Sequence, residues 1–372
     1  MEQRETYNTL GLKPIINANA TLTRLGGSRM PAAVVEAMAE ASRHFVDLDE
    51  LQRAVGGRLA ELTGNEAAYV STGAAAGLTL AAVACMAGTD PKAMAQLPDT
   101  TGLRHEFIVH RTHRNGYDYS VRMTGARLVE IGTEAGTSLA DFEAAITPQT
   151  AGVFWFQGAM TTPKDIPLAE LIPAAARHGL PVIVDGAAQL PPTENLWRWT
   201  EMGAALAIFS GGKDLRGPQT TGLVVGRADL IEAIRRNGSP NHSFGRPMKV
   251  GKEEMMGLLK AVELYLEIDQ ELRREADEAT VAGWCETLNA LPGVNASRGF
   301  PNEAGQPLPY ARVQIDPATG KTRDQVQAEL LAGDPAISVA TVGDDALFVN
   351  PMTLDGDERD LVLARLLAVL SE

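Results

Sequence analysis

The chain has 372 residues, 45% of them hydrophobic and 22% charged, with 36 Gly and 21 Pro spread without a short period. That length exceeds what one core usually covers, so a large and a smaller domain are expected, rich in loops and neither fibrous nor disordered. The formal charge of −14 argues against a protein that coats DNA or RNA, because phosphate binding needs clustered Lys and Arg.

Residues 1–20 contain no apolar run of signal-sequence length, and no later segment approaches the ~18 uncharged apolar residues of a membrane span. A protein neither exported nor membrane-embedded is expected. Pro31 opens a helical periodicity over 31–43, and apolar positions recur at three and four residues within 48–63. AAYVST (67–72) reads as a short strand feeding a Gly/Ala-rich turn, and 73–87 as a small-residue helix suited to close packing. Strand-like runs then alternate with helices such as 167–178: FIVH (107–110), ARLVEI (126–131), GVFWFQ (152–157), PVIVDG (181–186), ALAIFS (205–210) and GLVVG (222–226). This alternation predicts an α/β fold with a mostly parallel sheet covered on both faces. Beyond Gly251, long helices over 252–290, strands at 310–315, 336–341 and 346–349, and a closing helix at 357–370 predict a small α+β tail.

Cys85 and Cys285 lie far apart in apolar helical stretches and read as reduced core residues, which fits a cytoplasmic protein. Six His and two Cys show no metal-ligand spacing, so no metal is expected.

Two segments carry the chemistry, PVIVDGAAQ (181–189) and IFSGGKDLRGPQTTG (208–222). Each is an apolar strand whose carboxyl end delivers a polar residue, Asp185 or Lys213, to the edge where ligands bind in open α/β sheets. A salt bridge is the plain reading. The functional one is that a Lys among glycines is accessible to an aldehyde, while a carboxylate at a buried strand end keeps a pyridine nitrogen protonated. That pair points to pyridoxal 5'-phosphate (PLP). A third segment, YVSTGAAAGL (69–78), sets Ser71, Thr72, Gly73 and Ala74 at a strand-to-helix turn whose N–H groups and dipole favour a phosphate. Ser210 is spaced to add a hydroxyl. Tight packing alone explains many such turns. SGGKD is not the end of a nucleotide P-loop, because Ala207 and Asp214 stand where glycine and Ser or Thr are required.

In the order of these elements the chain resembles fold-type I PLP enzymes (the aspartate aminotransferase-like PLP-dependent transferase fold). More narrowly it resembles the family of bacterial selenocysteine synthase and D-glucosaminate-6-phosphate ammonia-lyase. The matching stretches are IINANATLTRLGG (15–27), ELTGNEAAYVSTGAAAGL (61–78), GARLVEIGT (125–133), IVDGAAQLPP (183–192), GGKDLRGPQTTGLVVGR (211–227) and GRPMKVGKEEMMGLLKAVELY (245–265). The resemblance implies three parts: an N-terminal arm (1–45) contributing to the small domain, a large PLP-binding domain (46–250) and a C-terminal small α+β domain (251–372).

By the same resemblance Lys213 is the Schiff-base residue and general acid/base, and Asp185 pairs with the pyridine nitrogen. Thr72, Gly73, Ala74 and Ser210 hold the phosphate, with Ser71 in the same turn. His113 resembles the ring-stacking residue of the ammonia-lyase branch; a surface histidine in a basic loop is the alternative. Gln189 is a further candidate, for the cofactor's phenolic oxygen. Arg246 and Lys249 match basic positions that meet an anionic group and, in a homodimer, reach the partner's site; a solvated basic face is the competing view. Arg111 joins them as a candidate for the substrate. The INANAT-like region begins by residue 16, which the notional tRNA-gripping domain of selenocysteine synthase would precede, so selenium transfer is not expected.

The resemblance implies elimination of water from a β-hydroxy amino acid or amino-sugar acid with ammonia release. Racemisation or epimerisation, with His113 or Tyr117 as second acid/base, and transamination remain open, as does a silent member that binds PLP or a metabolite. Specificity is expected in loops 18–27, 111–119 and 238–249.

Overall fold

The computed structural model describes residues 7, 9–316 and 319–371. The chain forms two compact units, Ser28–Glu267 and the described residues of Met1–Gly27 with Ile268–Glu372. These limits differ from the expected boundaries at 45 and 250. The helix Lys252–Leu266 packs on the helices Ala32–Ser42 and Leu48–Thr63 inside the larger unit. The cause is apolar burial, since Met255, Leu258, Val262 and Tyr265 share one core with Val55 and Leu59.

After β1 (Ile15–Asn17), which belongs to the smaller unit, the chain lays down β2 (Ala67–Ser71), β3 (Glu106–His110), β4 (Arg127–Ile131), β5 (Thr150–Phe156), β6 (Val182–Asp185), β7 (Leu206–Ser210) and β8 (Gly222–Gly226). They form one seven-stranded sheet in the order β2-β8-β7-β6-β5-β3-β4. β8 is antiparallel to both neighbours and the other six strands run the same way, so the mostly parallel expectation holds. The carboxyl ends of β2, β7 and β6 therefore bring Ser71, Ser210 and Asp185 to one edge.

Two apolar cores lie on the two faces. Ile183, Ile208, Val224 and Tyr69 pack with the helices Gly73–Ala87 and Ala228–Asn237. Val184, Ala207, Val225, Val153 and Trp155 pack on the opposite side with the helices Leu48–Thr63, Leu168–Ala176 and Lys252–Leu266. Strand alternation thus assigns Asp185, Ser210 and Ser71 to the first face, the one covered by the small-residue helix. That helix lies close: a Cβ on Gly77 would come within 2.9 Å of Ile208 and 3.2 Å of the Ser71 hydroxyl.

The smaller unit holds β9 (Val294–Gly299), β10 (Tyr310–Ile315), β11 (Ala336–Ser338), β12 (Ala340–Val342) and β13 (Ala346–Val349). Four of them form an antiparallel sheet in the order β12-β13-β10-β9, while β1 pairs in parallel with β11. The expected helical run over 252–290 is two helices, because Asp269 caps a new start at Gln270 by accepting the Leu272 N–H at 2.9 Å. The expected strand 336–341 likewise divides in two, and β9 was not foreseen: its sequence, VNASRG, carries only two buried positions.

Leu258 is fully buried in the larger unit's core, so Leu258→Ala is expected to cost about 3 kcal/mol. A urea titration of the intact chain, with a probe in each unit, measures that loss and should report it from the larger unit.

Candidate active site

β6 ends at Asp185, and Gly186 turns the chain away, its N–H donating to the Ile208 carbonyl at 2.9 Å. No larger residue fits there, because a Cβ on Gly186 would lie 2.3 Å from the Trp199 ring. Asp185 is buried, and its Oδ1 accepts the Ala187 N–H at 3.0 Å. Burial pushes the carboxyl up from its ordinary value; the Ala187 N–H and the Lys213 ammonium pull it back only in part. Lys213 follows β7, the strand that pairs with β6, so its loop leaves the same sheet edge as Asp185.

Lys213 stands on a tight loop after β7. Gly211 donates to the Thr221 carbonyl at 2.8 Å, Gly217 to the Gly211 carbonyl at 2.8 Å, and Arg216 to the Lys213 carbonyl at 3.0 Å. Both glycines before the lysine are imposed by crowding, since a Cβ on Gly211 would lie 2.0 Å from the Thr221 hydroxyl and one on Gly212 2.4 Å from Gln219 Cα. Arg216 closes the loop at φ 55°, a left-handed conformation rare outside glycine.

β8 returns between β2 and β7 and aligns Ser71, Gly222 and Ser210 in one row across the edge. Gly222 has no side chain because a Cβ would sit 2.5 Å from the Gly73 carbonyl carbon. The helix Gly73–Ala87 starts against this row. Gly73 takes φ 78°, Thr72 makes no side-chain cap, and no acidic residue lies in the first turn. Its first N–H groups and the positive end of its dipole thus face an anion-sized turn.

Two of the expected site residues lie buried. Ser71 is almost fully buried, and its hydroxyl donates to the Gly73 carbonyl at 2.9 Å, so it braces the turn from within. His113 is fully buried, which also removes the surface-histidine reading. Its ring meets Trp155 edge-on at 4.6 Å and His110 at 4.8 Å. Trp155 pairs with Val184, not with Asp185, and so projects to the other side of the sheet from Asp185.

Asp165, not singled out in the sequence, lies with Oδ2 3.5 Å from His113 Nε2. Burial pushes that carboxyl up, but hydrogen bonds from the Thr112 hydroxyl (2.6 Å) and from the Thr162 N–H (2.6 Å) and hydroxyl (3.0 Å) hold it below the usual range. No periodicity marks Asp165 in TTPKD; only its spacing after two threonines hints at a turn.

Gln189 ends the turn that begins at Gly186, its N–H donating to the Gly186 carbonyl at 2.9 Å. Arg246 is half-buried, Arg111 and Lys249 are exposed, and none of the three pairs with a carboxylate among the described residues. Three cations are thus left for an anionic ligand or for water.

A primary amine, a buried carboxyl whose raised pKa a cation would relieve, and an uncapped helix start at one sheet edge fit PLP. They match its aldehyde, its protonated ring nitrogen and its phosphate respectively.

This is the fold of a fold-type I PLP enzyme. Residues 118–277 match the family described as SelA, L-seryl-tRNA selenium transferase. The chain is 35% identical over 97% of its length to a Streptomyces 5'-C-glycyluridine monooxygenase-decarboxylase, covering 90% of that protein. It is 30% identical over 97% of its length to the D-glucosaminate-6-phosphate ammonia lyase of Salmonella typhimurium, covering 96% of it. A solved D-glucosaminate-6-phosphate ammonia-lyase structure superposes with a TM-score of 0.87 at 29% identity, covering 99% of this chain and 98% of that one. The chain belongs to the selenocysteine synthase and D-glucosaminate-6-phosphate ammonia-lyase family of PLP-dependent enzymes.

Burial pulls the His113 ring down from 6.5 to about 4, with the neighbouring His110 adding to the effect and Asp165 opposing it. An unfolded chain takes up that proton below pH 6.5, whereas the folded one refuses it until about 4. The contribution is therefore intact above pH 6.5 and is lost as the pH falls towards 4, by about 3 kcal/mol. Urea midpoints for wild type and His113→Phe at pH 7 and pH 4.5 measure this, and the variant is expected to lose less stability on acidification.

Proposed function

We propose that the protein is a PLP-dependent lyase that removes the α-proton of an amino acid or amino-sugar acid, expels its β-hydroxyl as water and releases ammonia. The observation that carries this reading is one sheet edge that holds the buried Asp185 carboxyl at the end of β6, the Lys213 loop after the neighbouring β7 and an uncapped helix start after β2. The similarity to an ammonia lyase over nearly the whole of both chains supports the choice of reaction.

In this reading Lys213 holds the cofactor's aldehyde carbon, Asp185 faces the ring nitrogen, and the backbone of Thr72, Gly73 and Ala74 with the Ser210 hydroxyl holds the phosphate. Gln189, four residues after Asp185, would be the candidate for the phenolic oxygen. The bound cofactor supplies an electron sink that makes the substrate's α-proton removable. Lys213 would be the base that takes that proton. The α C–H and β C–O bonds break, hydroxide leaves as water on taking a proton, and the resulting enamine takes up water to give a 2-keto acid and ammonia. Arg111, Arg246 and Lys249 are the cations that meet a substrate carboxylate or phosphate.

A homodimer belongs to the same proposal. Phe45 is fully exposed, and Tyr117 and Tyr119 are 64% and 63% exposed, an apolar load that a second copy would cover. No helix among the described residues is long and apolar enough to cross a membrane. A cytoplasmic location is proposed because both cysteines are free thiols.

The 35% identity to a monooxygenase-decarboxylase favours a second reading, in which a substrate without a β-leaving group is oxidatively decarboxylated by dioxygen. One screen separates the two. Purified, PLP-loaded protein is offered D-glucosaminate 6-phosphate and a panel of β-hydroxy amino acids, while ammonia, 2-keto acid, dioxygen and carbon dioxide are followed in deuterated water. Ammonia and keto acid without oxygen uptake are the expected result; oxygen uptake with carbon dioxide release rejects elimination for the second reading, and deuterated substrate without ammonia rejects both. Lys213→Ala is expected to lose the visible absorbance of the bound cofactor. Asp185→Asn is expected to keep the cofactor but lose about 10²-fold or more in turnover.

A further inference from the structure

Ser28 lies 185 positions before Lys213, outside every motif that marks the site, yet it is bonded to the lysine's own backbone. Its N–H donates to the Gly212 carbonyl at 2.9 Å. Its hydroxyl lies 2.9 Å from that same carbonyl oxygen and 2.8 Å from the Lys213 carbonyl oxygen. One residue on, Arg29 offers its carbonyl to Arg216 Nε at 2.9 Å, tying the far side of the same loop.

Two successive carbonyls converge on a single hydroxyl in this arrangement. Carbonyl dipoles aimed at one point repel each other, and a half-buried pair of them needs a donor between them. The hydroxyl has one proton to share, and sharing it holds the planes of the peptides on either side of Lys213 Cα. The Arg216 N–H, also on the Lys213 carbonyl at 3.0 Å, completes the grip from within the loop. What is held is the root of the lysine side chain, the direction in which Cβ leaves the backbone. Beyond that root the side chain is a flexible four-carbon stem, so fixing the root restricts which arc the amine can sweep. The loop cannot be tightened by other means at Gly211 or Gly212, where no Cβ fits.

We infer that Ser28 is a positioning residue for Lys213, aiming the amine by clamping the backbone on both sides of it. This rests on Lys213 being the residue that carries the cofactor. A serine that merely stabilises the fold would make the same contacts, so the test needs measurements that a general loss of stability does not move.

The variants are Ser28→Ala, Ser28→Thr and Lys213→Ala. In unloaded protein, hydrogen–deuterium exchange is followed in peptides spanning 208–222 and 181–186. In PLP-loaded protein, the pH midpoint of the visible absorbance and the separate values of kcat and KM are measured. Ser28→Ala is expected to speed exchange within 211–217 about ten-fold while leaving 181–186 unchanged, because one local tie is lost. It is expected to shift the absorbance midpoint by about half a unit and to lower kcat about ten-fold at constant KM. Ser28→Thr, which keeps the hydroxyl, should restore all three.

An unmoved midpoint and kcat in Ser28→Ala, or exchange that rises evenly across the larger unit, overturns the inference. If Ser28→Ala does not fold, Arg216→Met removes the second tie at an accessible position and must shift the same midpoint; no shift there also overturns it. Retention of the visible band in Lys213→Ala defeats instead the assignment of the lysine, and the exchange data on unloaded Ser28 variants keep the two failures apart.

Discussion

A carboxyl group buried at the end of a β-strand is the constraint on which this structure turns. Asp185 has left water, gains a backbone N–H from Ala187, and remains pushed towards its neutral form. Such a group is expensive unless a cation is brought to it. The chain meets that demand within one sheet edge. β7 runs beside β6 and ends in the loop that bears Lys213, and β8 returns antiparallel so that the Thr221 carbonyl can fasten the loop at Gly211. A cationic ring nitrogen in the proposed cofactor would satisfy Asp185 more fully than the ammonium does, since it adds a hydrogen bond to the charge.

Close approach governs the phosphate end as well. Gly222 between two serines, Gly73 in a left-handed turn and Gly77 one helical turn later together let the helix start descend onto the sheet edge. Ser71 holds that turn from beneath, which leaves the Ser210 hydroxyl and the helix N–H groups as the donors still available to a ligand. The small-residue composition of 73–87 is therefore a packing requirement and a binding device at once.

Much of this was legible in the chain itself. Apolar runs located all seven strands of the large sheet, and Asp185 and Lys213 drew attention because each follows an apolar run, Asp185 as the last residue of its strand and Lys213 three residues past the end. What stayed hidden depends on pairing and pleat. The side of the sheet to which His113 belongs follows from the register of Trp155 against Val184, which one sequence does not show. The domain limit escaped for a different reason: LDELQRAVGGRLAEL and EEMMGLLKAVELY are each amphipathic, but which two helices share a core is a tertiary fact. Ser28 was invisible because a lone serine in a loop carries no period and no motif.

The relatives that span this chain from end to end bear names for different reactions, elimination of ammonia in one and oxidative decarboxylation in another. In the proposed reading an α-carbanion would need only the amine, the carboxyl and the electron sink between them, whichever reaction follows. The elements that carry the amine and the carboxyl are strand ends and helix starts locked by glycines that no larger residue can replace. Divergence must then fall on parts that touch the substrate without holding the sheet edge together. We propose that Arg111, Arg246 and Lys249 are of that kind: Arg246 and Lys249 lie in a loop and Arg111 in a short 3-10 helix, none has a carboxylate partner among the described residues, and exchanging one would leave the cores intact. A rigid edge with replaceable cations around it is an arrangement in which one fold can change its substrate, and with it the fate of the carbanion, without relearning how to make it.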